Sequence, residues 1–163
     1  MAISLKSSLK KIAAPPLKSL GYELIELKEW VGGGSFFFRN HLWAEMYSFI
    51  EFHLMAWTPG PKNHESLSRR ISVVLWRNHG DTPHSMYQKN DTAVDDWLYM
   101  PLSYLLWSEL DIKVYGNPYF LWEFKTSDDL DFQLQNAVHA VIKYGIPWLE
   151  NPASRGATPK QQI

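Results

Sequence analysis

The chain contains no cysteine. Disulfides, thiol nucleophiles and cysteine zinc sites are excluded together, and the composition fits a reducing cytoplasm. It also lacks a surplus of either charge. Sixteen Lys and Arg against 17 Asp and Glu leave a formal net charge of −1, which supplies no global field to draw in nucleic acid or an anionic membrane. Long apolar runs are missing as well: the stretch from Trp97 to Trp107 is too short to span a bilayer. Lys6, Lys10 and Lys11 interrupt the place where a secretory signal would carry its apolar core. The expectation is a cytoplasmic protein with neither a membrane nor a nucleic acid as partner. What the chain does have is aromatic surface, with eight each of Trp, Tyr and Phe in 163 residues. That is enough for one sizeable core. Residues 1–150 read as a single domain and 151–163, rich in Pro, Ser, Gly, Thr and Gln, as a flexible tail.

The amino-terminal segment places Leu5, Leu9 and Ile12 on one stripe while Ser7, Lys10 and Lys11 point elsewhere, so an amphipathic helix is expected near residues 4 to 13. Pro15 and Pro16 should end or kink it. Leu17 to Leu20 can add one more turn, with Gly21 as its left-handed cap. The strongest helix signal lies near residues 128 to 144. Thr126 or Ser127 can cap it, Asp128, Asp129 and Asp131 suit its positive end, and Leu130, Leu134, Val138, Val141 and Ile142 form its stripe. Gly145 and Pro147 should stop it, after which Trp148 is expected to anchor the following segment on the core.

Between these helices the period changes to that of strands. Tyr22 to Val31, Ser35 to Asn40, Tyr47 to Trp57 and Arg69 to Trp76 are short aromatic or β-branched runs, punctuated by Gly32–Gly34 and by Thr58, Pro59, Gly60 and Pro61. Asn78 to Asp96 reads as a long loop. Trp97 to Leu106 fits a buried strand or a short helix broken at Pro101, and Asp111 to Tyr115 with Tyr119 to Lys125 reads as a hairpin around Gly116, Asn117 and Pro118. The expected fold is α+β: an antiparallel sheet of five or six strands with the two helices packed on one face.

Two helices cover one face of such a sheet, so alternation within each strand reveals the other. That second face combines Phe49, Glu51, His53, Met55 and Trp57 from one strand with Ser72, Val74 and Trp76 from the next and Tyr119 and Leu121 from a third. Aromatics set among polar groups are the composition of a recognition surface. Phe49, His53, Trp57, Trp76 and Tyr119 are therefore the candidate binding residues, unless the Asn78 to Asp96 loop and the run after it fold over them.

Chemistry is harder to assemble. His79, Asp81 and His84 cluster without a helix to fix them, His41, His53 and His139 share no spacing, and no Gly-x-Ser-x-Gly elbow occurs, so neither a metal nor another cofactor is called for. The one catalytic alternative is Asp111 with Glu123 and Lys125 across the hairpin. Alternate residues on a strand share a face, and a carboxylate beside Glu-x-Lys can hold Mg²⁺ and orient a water. This resembles the signature of restriction-endonuclease-like nucleases. It departs from them where a further strand should follow the helix.

Trp122-Glu123-Phe124-Lys125, the capped helix, Tyr144-Gly145-Ile146-Pro147-Trp148-Leu149-Glu150 and, at the other end, Leu17 to Tyr22 resemble bacterial families of uncharacterised small α+β domains, some of them immunity-like. The resemblance implies a noncatalytic protein-interaction module, immunity-like or defence-associated, whose partner is another protein. It transfers no catalytic residue.

Overall fold

The computed structural model describes residues 4–26, 34–56, 69–83, 98–113 and 117–156. Trp57, the turn 58–61, residues 84–97 and the chain from 157 onward lie outside them. The architecture is α+β, with a six-stranded antiparallel sheet and a helix at each end of the chain.

The chain enters through α1 (Leu5–Ser8), a π-helical turn (Leu9–Ala13) and α2 (Ala14–Lys18). The Pro15–Pro16 pair therefore does not end the helix. The wider turn before it lets the amide of Ala14 reach the carbonyl of Leu9, and the prolines fall in the first turn of α2, where an amide hydrogen is not required. Gly21 closes the helix as expected. At φ +89° it donates to Lys18 O while Tyr22 N donates to Leu17 O, the paired bonds of a Schellman cap.

Strands β1 (Glu23–Ile25), β2 (Ser35–Trp43), β3 (Met46–Ala56) and β4 (Arg69–His79) follow in spatial order. The outer edge of β4 is shared. β5 (Leu98–Pro101) pairs with Val74 to Arg77 and β6 (Trp122–Phe124) with Arg69 to Ile71. The ambiguous run before Trp107 is thus both things: strand up to Pro101, then α3 (Leu102–Tyr104) and a further π-helical turn (Leu105–Glu109). The expected hairpin is corrected. Asp111 and Ile112 are not in a strand, and the neighbour of β6 is β4, because Trp122 and Phe124 gain more by entering the core beside Ile71 than a local hairpin offers.

α4 (Ser127–Ala140) is capped by Thr126, whose Oγ1 accepts from Asp129 N while the Asp129 carboxylate accepts from Thr126 N. Gly145 does not stop it. The helical path continues through a π-helical turn (Val141–Gly145) into α5 (Ile146–Glu150), with Pro147 in the opening turn of α5. Gly145 is needed for approach instead: a Cβ there would lie 3.2 Å from a methyl of Leu75 on β4. Leu149 is the buried anchor of α5, whereas Trp148 is half-buried against the same core. Residues 151–156 lie against the domain. Ser154 is buried and donates to Trp148 O, and the Arg77 guanidinium donates to the carbonyls of Leu149 and Asn151 at 2.8 and 2.7 Å. Burial lowers the Arg77 pKa from its ordinary value.

Both helical ends pack on one sheet face. Leu5, Leu9, Ala13, Leu17, Leu130, Leu134 and Val138 bury against Phe38, Ile50, Phe52, Ile71, Val73 and Leu75, with Trp122 and Phe124 from β6.

Candidate interaction site on the helix-free face

The alternate residues of the same strands form the other face, and a smaller apolar cluster sits there: Phe37, Phe49, Val74 and Trp76, flanked by Ile25, Tyr47 and Tyr99. Trp76 meets Tyr99 edge-on with ring centroids 4.7 Å apart. Phe49 is fully buried and Trp76 is 4% exposed. Of the expected binding residues these two are therefore interior, supporting the face rather than presenting it.

A polar relay is built into this cluster. Glu51, on β3 between Phe49 and His53, is 7% exposed. Its Oε2 accepts from Trp76 Nε1 at 2.9 Å and its Oε1 from the Ser35 hydroxyl at 2.7 Å. The same hydroxyl oxygen lies 2.6 Å from His53 Nδ1, which is itself 4.0 Å from Glu51 Oε1. A carboxylate this deep must have its lone pairs satisfied. Here an indole and a hydroxyl from the two neighbouring strands do so.

The two ends of the face differ. Toward Tyr47 the segment after β4 folds back, because the Asn78 amide donates to the carbonyls of His79 and Thr82 at 2.9 and 3.0 Å. Arg39 there is paired with Glu23 at 2.6 Å and donates to Asp81 O. Toward the far end the register aligns Ser35, His53 and Ser72 in one cross-strand row and Met55, Arg70 and Glu123 in the next. Met55 is 42% exposed, and Arg70 Nε lies 3.7 Å from Glu123 Oε2. Beside this row an open cleft of about 370 Å³ is lined by Arg70, Glu123, Gln133 of α4 and the turn residues Asn117, Tyr119, Phe120 and Leu121. Tyr119 in that turn is 60% exposed, and its amide donates to the Asn117 side chain at 2.8 Å, which fixes the turn.

The structure thus brings Glu123 and Tyr119 together at one cleft beside Arg70, with His53 in the cross-strand row next to that of Arg70. Trp57 falls outside the described residues. The nuclease set does not meet on paired strands. Asp111 is exposed, has a left-handed backbone (φ +54°) and pairs with Lys113 at 3.0 Å, Glu123 faces Arg70, and the Lys125 amide takes part in the cap of α4. Met55, Arg70 and Ser35 were the residues that sequence reasoning did not single out. Alternation places Met55 and Arg70 on this face, but only the β3–β4 and β4–β6 registers put them in one row. Among the described residues no three His, Asp or Glu side chains are grouped to hold a metal ion, and no helix is long and apolar enough to cross a membrane.

Among the described residues the fold is α+β, with helices on one face of the sheet and none on the other. No family model, curated protein or solved structure matches the chain.

Proposed function

We propose that this chain is a noncatalytic protein-interaction module of the cytoplasm, in an immunity-like or defence-associated role, that docks a second protein on the open corner of its helix-free face. The observation that carries this reading is the composition of that corner. Exposed Met55 lies across from Arg70, exposed Tyr119 lines the cleft beside the Arg70–Glu123 pair, and His53 sits in the adjoining row, and Met, Tyr and Arg are residue types that protein interfaces concentrate. The buried aromatics and the Glu51 relay beneath hold the corner rigid, which lowers the entropy cost of docking.

The test is site-specific photo-crosslinking in the source cell, with the crosslinking residue placed at Met55, at Tyr119 or at the distant exposed Leu20. One and the same protein should be captured from the first two positions and not from the third. Equal capture from all three, or none, would overturn the proposal. So would Mg²⁺- or Mn²⁺-dependent cleavage of DNA or RNA by the purified protein that Glu123→Ala and Lys125→Ala abolish.

A further inference from the structure

The relay on the helix-free face has one consistent hydrogen arrangement while Glu51 is a carboxylate. An ionised carboxylate oxygen only accepts, so the 2.7 Å contact to Oε1 consumes the single hydroxyl hydrogen of Ser35. The Ser35 oxygen is then only an acceptor toward His53 Nδ1, 2.6 Å away, and Nδ1 must carry the hydrogen. A neutral imidazole has one N–H. With it committed to Ser35, Nε2 carries the lone pair, on a side chain that is 37% exposed. Trp76 Nε1 holds the other carboxylate oxygen, so Glu51 does not swing away from Ser35.

The charges around this lone pair complete the description. On its own strand His53 has Glu51. Across to β2 it has Ser35, and across to β4 it has Ser72 directly and Arg70 diagonally. Arg70 is engaged by Glu123 of β6 at 3.7 Å. Arg70 and Glu123 offset one another, so the charge nearest His53 is the Glu51 carboxylate, 4.0 Å from Nδ1.

We infer that His53 Nε2 is the acceptor for a basic side chain, lysine or arginine, of the protein partner. The inference rests on the docking reading above and names the chemistry of one of its contacts. A partner carboxylate placed there would face a lone pair and, behind the ring, the Glu51 carboxylate.

The experiment uses the full chain with ¹⁵N-labelled histidine, the His53 signals being assigned by comparison with His53→Gln. Long-range ¹H–¹⁵N correlation should show the neutral ring protonated at Nδ1 and bare at Nε2. N-methylguanidinium chloride should shift the Nε2 resonance, and sodium acetate at equal ionic strength should not. Ser35→Ala should move the hydrogen to Nε2 and remove the response, while Ser35→Thr, which keeps the hydroxyl, should restore both. A ring bearing its hydrogen at Nε2 in the unaltered protein, an equal response to acetate, or no response to either probe would overturn the inference. These results need no partner, so they separate from the crosslinking outcome. Capture at Met55 and Tyr119 without a guanidinium response removes only the basic contact, whereas failed capture removes the docking reading itself.

Discussion

The two faces of one sheet, built from alternate residues of the same strands, solve burial in different ways. On the helix-covered face Phe38, Ile50, Phe52, Ile71, Val73 and Leu75 are all within a few per cent of complete burial and meet other apolar side chains. On the helix-free face four apolar residues form the cluster, and Glu51 is buried among them with its hydrogen bonds satisfied. The first face is stabilised by contact area, which any well-shaped apolar side chain can supply. The second depends on matched donors and acceptors, which tolerate far less substitution but hold a surface in one geometry.

That contrast can be broken in order of expected effect. The largest response should come from Trp122→Ala in the helix-covered core, where a side chain 1% exposed is removed. A loss of about 3 to 5 kcal/mol is expected in denaturant unfolding. Tyr119→Ala at the open corner should stay within about 0.5 kcal/mol of the unaltered protein.

Next comes a polar exception on the covered face. The Tyr22 hydroxyl lies 2.8 Å from that of Ser48, and burial, partly offset by this hydrogen bond, pushes its pKa up to about 12. The unfolded phenol ionises near pH 10, so the stabilising contribution is complete below that pH and is lost as pH rises from there through 12. The loss amounts to about 3 kcal/mol. Stability measured between pH 9 and 12 should show this decline, and Tyr22→Phe should flatten it.

Glu51→Ala sharpens the comparison from the other side. It removes the acceptor of the Trp76 N–H on the helix-free face, while the Ser35 hydroxyl keeps His53 Nδ1 within reach, at a cost of about 1 to 3 kcal/mol. The Trp76 indole proton should move markedly in the NMR spectrum while resonances of the helix-covered core stay in place.

The smallest effect belongs to the surface tie between the two ends of the chain, Lys11 to Asp131 at 2.6 Å. The hydrogen bond from Lys11 holds the Asp131 carboxyl below the ordinary carboxylate range, and the same bond raises Lys11. The depressed acid contributes above its unfolded pKa and loses that contribution as pH falls through the folded value. The raised amine loses its contribution only as pH climbs past the ordinary lysine range. Asp131→Asn should lower the melting temperature slightly in the neutral region, and that difference should close as pH falls through the folded carboxyl value, a small effect as expected for an exposed pair.

How much of this was readable in advance follows from the range of the interactions. The Leu5–Leu9 stripe and the Gly21 cap are set within a few residues and could be read directly, and the cap of the last helix could be narrowed to Thr126 or Ser127. So could the alternation that separates Phe49 and Trp76 from Ile50 and Leu75, since it is a property of one extended strand. Pro15, Pro16 and Pro147 misled, because a π-helical turn beforehand absorbs the missing hydrogen bonds and lets the core contacts of Leu17 and Leu149 prevail. The hairpin from Asp111 to Lys125 misled for a related reason: a local turn signal lost to the burial of Trp122 and Phe124 beside β4.

By itself the sequence determined an α+β class, the two terminal helices and two chemically unlike sheet faces, all of which follow from local periodicity and capping. Only the tertiary structure decided that Ser35, Glu51, His53 and Trp76 form one relay and that Met55, Arg70 and Glu123 share a row. Those groups come from strands tens of residues apart, and a shift of one residue in either register would turn each of them to the opposite face.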